Sequence, residues 1–243
     1  MQISAKTDIG LKRTTNQDCF HFGQIEKGDV TWAVVCDGMG GMSAGDIASA
    51  EAVRVIANSF DNNLSPKSNP SFINNLLKSS IEAANAAIYD MATEDETLRG
   101  MGTTVVAVVV VKGVAYFAHV GDSRAYIYSS NALSQITTDH SVVQTMVDKG
   151  QITEDEAKNH PNKNIITRAL GIAPYVDIDF AETKVSENDI IILCSDGLTN
   201  CIDDELLALS ATDNDFETLA TRLVDLANQN GGNDNITVVA VKI

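Results

Sequence analysis

VVAVVVVKGVAYFAHVGD, from Val105 to Asp122, is the most strongly β-patterned segment of the chain. Its first half is an unbroken apolar run that ends at Val111, and Gly113 separates this run from a second one that begins at Val114. β-Branched and aromatic residues favour strands, and a glycine between two such runs is typical of a tight hairpin. We therefore expect two buried antiparallel strands joined at Gly113.

Strand patterns of the same kind occur on both sides of this hairpin. They are TWAVVCDG (residues 31–38), RAYIYS (124–129), DIIILCSDG (189–197) and NITVVAVKI (235–243). Because the strands come in adjacent runs and the helices in pairs, the order favours antiparallel sheets with helices packed outside, more than alternating βαβ units.

Four helices are predicted from their N-terminal signals and from apolar residues at helical spacing. Their predicted starts are Ser43 (with Asp46 in a capping box), Pro70, Thr153 and Thr212 (with Asp215). The polar segment NNLSPKSN, residues 62–69, lies between the first two and is predicted to be a loop, not a domain boundary.

Composition argues against several classes of function. The chain has 243 residues, 44% of them hydrophobic, and a net charge of −16, which repels nucleic acid. The N-terminus lacks the apolar core of a signal peptide, and the longest apolar run, 105–111, is far shorter than a membrane span. We therefore expect a cytoplasmic protein with no membrane partner. None of the four cysteines forms a CxxC pair, so a zinc site is not expected.

Four carboxylates stand at the ends of the apolar strands. Asp37, Asp122 and Asp196 directly follow strands, and Asp234 directly precedes one. A single Asp-Gly after a strand is most often a turn, but converging carboxylates would repel one another unless a cation compensates their charge. Oxygen ligands without a His or Cys cluster favour Mg²⁺ or Mn²⁺. The sequence thus predicts a site for hard cations, with convergence in space as its central assumption.

A set of short motifs extends this pattern over nearly the whole chain. In order they are Arg13-x-x-Asn16-Gln17-Asp18, Asp37-Gly-Met-Gly-Gly41, Gly102-Thr-Thr104, Gly121-Asp-Ser-Arg124, Asp139-His-Ser141, Ser195-Asp-Gly197 and Gly231-x-x-Asp-Asn235. Each motif alone is weak. Together, and in this order, they resemble the metal-dependent protein phosphatases, also called the protein phosphatase type 2C family, in their short bacterial form.

The resemblance implies an α+β fold, a four-layer αββα sandwich of two stacked antiparallel sheets flanked by helix pairs. It also implies one catalytic domain, residues 1–243, with a flap insertion at about residues 141–173 beside the active site. We expect this flap segment to tune substrate choice and Arg168 to anchor it.

The resemblance also implies a role for each candidate residue. Asp37 would bridge two metals, with the Gly38 carbonyl on the first and Asp196 and Asp234 on the second. Asp122, together with Asp196, would bind a weaker third ion. Asp18 would orient metal-bound water, and Arg13 would bind the substrate phosphate. The ions would be Mn²⁺ or Mg²⁺, activating a water for in-line attack on phosphorus, and the guanidinium could bind two phosphate oxygens.

Two departures concern the proton donor. Some relatives carry a histidine where this chain has Met39 or Met42, so the identity of the general acid stays open, and a metal-bound water is one candidate. A structural hydrogen bond is the favoured interpretation of His140, and a core position that of His119.

Other classes of function fit the sequence less well. No cysteine is followed six residues later by arginine, as a cysteine-based phosphatase requires, and Asp177-Ile-Asp179 lacks the rest of a phospho-aspartyl motif. An inactive phosphoprotein or metal-binding module, and a stress- or sporulation-type regulatory phosphatase, remain alternatives. The preferred hypothesis is a monomeric serine/threonine phosphatase that acts on phosphoproteins, including a bacterial serine/threonine kinase.

Overall fold

The structure is a computed structural model that describes residues 1–40, 44–212 and 215–243. The strands are β1 (Gln2–Asp8), β2 (Asp18–Ile25), β3 (Val30–Met39), β4 (Gly102–Thr103), β5 (Val105–Val111), β6 (Val114–Val120), β7 (Arg124–Ser129), β8 (Ala132–Gln135), β9 (Asp179–Lys184), β10 (Ile190–Cys194) and β11 (Ile236–Lys242). The α-helices are α1 (Gly45–Asn63), α2 (Pro70–Glu94), α3 (Val142–Asp148), α4 (Glu154–Lys158), α5 (Asp196–Thr199), α6 (Asp204–Ala211) and α7 (Leu219–Gln229).

The strands form two antiparallel sheets. The first has the order β1-β11-β10-β7-β8, and the second has the order β2-β3-β5-β6-β9, with β4 beside β3. The predicted hairpin joins β5 to β6 with Val111 opposite Val114. Lys112 and Gly113 both have positive φ, as a two-residue turn of this hand requires.

Successive side chains of the central strands point to opposite faces of the sheet and so pack into two different apolar layers. In β3, Trp32, Val34 and Cys36 pack with α1 and α2 on one side of the sheet. Ala33 and Val35 face the other way, into an apolar layer shared with β10 and β11. A third apolar cluster lies between the first sheet and helices α5, α6 and α7. The order helix, sheet, sheet, helix confirms the predicted four-layer αββα sandwich.

Of the predicted helix starts, two are confirmed and one is wrong. Helix α2 begins at Pro70 with Asn69 as its cap, and α4 has the capping box of Thr153 and Glu156. Thr212, however, ends α6, and α7 begins only at Leu219 after a short 3-10 turn. The physical reason is that the Thr212 hydroxyl donates back to the Leu209 carbonyl, which closes the preceding helix. Ser43 and its predicted capping role lie outside the described residues.

The cap of α2 provides a test of local stability. The Asn69 side chain accepts a hydrogen bond from Phe72 N at 2.9 Å. We expect Asn69→Ala to cost about 1 kcal/mol and to lower the melting temperature by about 2–4 °C in a chain of this size. Asn69→Asp keeps the acceptor and should melt like the wild type in thermal denaturation. Equal losses for both variants would contradict a capping role.

Candidate metal centre

The predicted aspartates gather at one edge of the sandwich, at the end of the layer between the two sheets. Asp18 begins β2 and lies directly opposite Asp37 near the end of β3. Asp196 follows β10 and Asp234 precedes β11, which are antiparallel neighbours. In an antiparallel pair the end of one strand meets the start of the next, so all four residues reach the same edge.

The carboxylates of the cluster raise one another's pKa values. Burial raises the pKa of Asp37 well above its usual value, and the charges of Asp18, Asp196, Asp122 and Asp234 raise it further. Burial likewise raises the pKa of Asp196, and the charge of Asp234 raises it further. The structure therefore brings together all five carboxylates that the sequence singled out.

Asp18 shows that the cluster has a free ligand position. Its Oδ2 accepts hydrogen bonds from Ser195 Oγ and Thr237 Oγ1, each at 2.7 Å. Its Oδ1 is buried and has no hydrogen-bond partner in the described part of the chain. Burial raises the pKa of Asp18 to about 7, against the two hydroxyl hydrogen bonds that lower it. A buried, unpartnered carboxylate oxygen among other carboxylates fits a cation or a water held by one.

Asp122 lies beside the main cluster. It follows β6, and its pKa is raised to about 7 by burial first and then by the charge of Asp196. A further cation near these two carboxylates would relieve their repulsion. A weaker third ion at Asp122 and Asp196 stays a prediction.

Gly38 and Gly197 have a packing role that the sequence did not predict. A Cβ at Gly38 would overlap the carbonyl oxygens of Gly45 and Gln17, so only glycine allows the start of α1 to pack on β3 here. A Cβ at Gly197 would overlap the carbonyl oxygen of Asn235. The family resemblance implies an ion-binding role for the Gly38 carbonyl only. In the structure, glycine at both positions lets the backbone segments of the site come into contact.

Arg13 lies at the mouth of the site. Its guanidinium donates to Asp234 Oδ2 at 2.7 Å, and this hydrogen bond is the main reason why the pKa of Arg13 is raised. About half of the Arg13 side chain is exposed, 51% against 31% for Asp234. An arginine held by a carboxylate at its inner side and open to solvent at its outer side can bind an incoming phosphate.

Asn235 holds the loop that carries Arg13, and sequence reasoning gave it no role. Its side-chain nitrogen donates to the carbonyls of Ile9 and Thr15, and its oxygen accepts from Gln17 N at 2.8 Å. One buried amide thus fixes both ends of the segment around Arg13. Only its position in the Gly231-x-x-Asp-Asn235 motif could have indicated this.

Thr104 is a second residue that the sequence analysis left without a function. Its Oγ1 accepts a hydrogen bond from Asp37 N at 2.9 Å and contacts Ser123 Oγ at 2.7 Å. Its backbone N donates to Asp37 O at 2.9 Å. Thr104 therefore fixes the backbone of Asp37 and connects it to the turn that bears Asp122.

The flap segment, residues 141–173, contains α3 and α4. Within it, Ser141 forms a β-bridge with Ile166, and near its C-terminal end Leu170 forms a bridge with Thr103 of β4, outside the segment. Arg168 donates to Asp179 Oδ1 at 2.8 Å, in agreement with its predicted anchoring role.

His119 is buried, and its ring Nε2 lies 2.8 Å from the Thr138 carbonyl oxygen, as expected for a core histidine.

Met39 leaves the identity of the proton donor open. Its terminal methyl lies beside Gly102 together with the side chain of Ile172. A methionine side chain carries no acidic proton, so Met39 itself cannot act as the general acid. Met42 and Gly41 lie outside the described residues.

Comparison with known proteins agrees with this geometry. Residues 12–238 match the family model described as Protein phosphatase 2C. The chain belongs to the protein phosphatase 2C family. It is 37% identical, over all of its own length and 96% of the relative, to the serine/threonine phosphatase stp of Listeria welshimeri.

Solved structures of the same family superpose closely on this fold. The serine/threonine phosphatase of Streptococcus agalactiae is 39% identical with a TM-score of 0.92, and the match covers 100% of this chain and 99% of that one. The catalytic domain of the phosphatase PstP, solved with 2 manganese ions, is 32% identical with a TM-score of 0.87 over 99% of this chain and 97% of that one. Family membership makes this chain a metal-dependent phosphatase.

Proposed function

We propose that this chain hydrolyses phosphoserine and phosphothreonine esters in proteins, with divalent cations held by Asp37, Asp196 and Asp234. Membership of the protein phosphatase 2C family supports the reaction class. The observation that carries the site assignment is the unpartnered, buried Oδ1 of Asp18 within a cluster of mutually repelling carboxylates. This arrangement is stable only when positive charge or protons compensate it.

Bound Mn²⁺ or Mg²⁺ would supply a water that is acidic enough to act as a nucleophile near neutral pH, and positive charge for the phosphoryl group. The chain's own residues position the water and the phosphate group. Asp18, fixed by Ser195 and Thr237, offers its free oxygen to accept a proton or orient water in the site. Arg13 can exchange Asp234 for two phosphate oxygens without leaving the mouth of the site.

The finer parts of the proposal concern the ions and the partners. Asp122, coupled to Asp196, would hold a weaker third ion. We assign the whole of residues 1–243 to one catalytic domain, with the flap segment at 141–173. We infer a monomer that acts in the cytoplasm on phosphoproteins, among them a serine/threonine kinase.

Among the described residues no helix has the length and apolarity that crossing a bilayer requires.

Phosphate release from a phosphothreonine peptide tests the reaction. We expect turnover with Mn²⁺, loss of turnover with a chelator, and recovery when Mn²⁺ is restored in excess. The peptide without phosphate and a Mn²⁺ solution without protein are the controls. A protein that binds Mn²⁺ and the peptide, but releases no phosphate from peptides or from an aryl phosphate, would be a binding module, and the proposal would be wrong.

A further inference from the structure

His140 holds the turn that carries Asp122 by two hydrogen bonds. Gly121 N donates to His140 Nδ1 at 3.1 Å, and His140 N donates to Gly121 O at 2.9 Å. The ring is buried, with 6% of the residue exposed. Both backbone groups of the residue before Asp122 are therefore fixed by one histidine.

The same histidine also holds the flap segment. Thr167 N donates to the His140 carbonyl at 2.7 Å. Because Nδ1 accepts a hydrogen bond, the proton of a neutral ring lies on Nε2, which is 3.1 Å from Asp179 Oδ2. The other oxygen of Asp179 accepts from Arg168 of the flap segment at 2.8 Å. Asp179 thus joins the flap segment to the ring.

The turn at Gly121 is also in contact with Thr104, which leads to Asp37. Gly121 has a φ of +107°, and a Cβ there would overlap the side chain of Thr104. Thr104 in turn contacts Ser123 and both backbone groups of Asp37. A continuous set of direct contacts therefore runs from the flap segment through His140 to two of the candidate metal ligands.

A metal ion is the other interpretation of this cluster. His119, His140 and Asp179 offer ligand atoms within 4.8 Å of one another. However, the Arg168 guanidinium lies 3.2 Å from His140 Nε2 and already donates to Asp179. Both ring nitrogens of His140 are engaged, and the positive charge in the cluster comes from arginine. The contacts favour a connecting role over a cation site.

We propose that His140 is a positioning residue that couples the arrangement of the flap segment to cation binding at Asp122. The inference rests on the proposed function, because it assumes that Asp122 binds an ion. Energetic coupling between two sites is reciprocal, so an ordered flap segment would favour the ion and the ion would favour an ordered flap segment.

Three substitutions separate this role from simple packing. In His140→Asn the side-chain oxygen can replace Nδ1 as the acceptor for Gly121, but the link to Asp179 is lost. In Asp179→Asn the buried ring stays intact, and only the outer, half-exposed end of the connection loses its charge. Glu82→Gln, which removes an exposed ion pair with Lys78 on α2, is the matched control.

Calorimetric titration with Mn²⁺ and amide hydrogen exchange supply readouts that need no turnover. We expect His140→Asn and Asp179→Asn to weaken the weakest Mn²⁺ site about 5- to 10-fold and to speed exchange at the Thr167 amide. In an Asp122→Asn background the effect on Mn²⁺ should vanish, and Glu82→Gln should change neither quantity.

Two results would overturn the inference. One is an unchanged set of Mn²⁺ dissociation constants in both variants, with only the melting temperature lowered, because His140 would then be purely structural. The other is an equal weakening with and without Asp122, because the effect would then not pass through this residue. If the wild type releases no phosphate, the proposed function fails, while these binding and exchange measurements still decide the role of His140.

Discussion

Asp37→Asn should lose at least about 99% of the Mn²⁺-dependent phosphatase activity, because Asp37 is the predicted metal-bridging carboxylate and the charges of Asp18, Asp122, Asp196 and Asp234 all act on it. Asparagine has almost the same shape and no charge, so it removes one of the mutually repelling carboxylates of the metal-free site. We therefore expect the metal-free variant to be folded and at least as stable as the metal-free wild type.

Thermal melting with and without Mn²⁺ checks this expectation independently of catalysis. A ligand at about 100 times its dissociation constant stabilises a folded protein by about 2.7 kcal/mol, or roughly 5–10 °C for a chain of this size. The wild type should show this rise and Asp37→Asn should not. Asp148→Asn, on the flap segment, is a control that removes an exposed carboxylate and should keep the full rise. A normal Mn²⁺ shift in Asp37→Asn would contradict the assignment of Asp37.

The strands that the sequence predicted lie inside the two sheets, whereas the strands that it missed include all four sheet edges. The predicted strands β3, β5, β6, β7, β10 and β11 are interior, covered on both faces, and therefore almost wholly apolar. The strands that were missed include β1, β8, β2 and β9, which are the four sheet edges. An edge strand is partly exposed, so its polar residues hide the β pattern. β9, for example, reads DFAETK.

The residues of the site also differ in how well the sequence reveals them. A carboxylate that interrupts an apolar strand is visible in the sequence, so Asp37, Asp122 and Asp196 could be predicted. The hydroxyl groups that support Asp18 could not be, because serine and threonine are common at strand ends for other reasons. Ser195 is also 177 residues away from Asp18 along the chain. Only the folding of the two sheets against each other brings such partners together.

Arg13→Ala should lower kcat/KM for a phosphothreonine peptide about 10- to 100-fold, since hydrogen bonds to charged groups contribute about 1.5–3 kcal/mol. Arg13→Lys should recover only part of the loss, because lysine keeps the charge but cannot bind two phosphate oxygens in a fork. Arg54→Ala, which removes an exposed arginine of α1, should leave kcat/KM unchanged.

The Mn²⁺ affinity of Arg13→Ala shows whether the loss of activity comes from weaker substrate binding or from a displaced Asp234. In the structure the Arg13 guanidinium neutralises Asp234, a candidate metal ligand. Removing Arg13 frees this carboxylate, so Mn²⁺ should bind to Arg13→Ala as tightly as to the wild type or more tightly, as measured by calorimetry. Lower activity with equal or higher Mn²⁺ affinity would place Arg13 on the substrate. If affinity and activity fell in parallel, Arg13 would instead act by holding Asp234 in position, and the phosphate would need another partner.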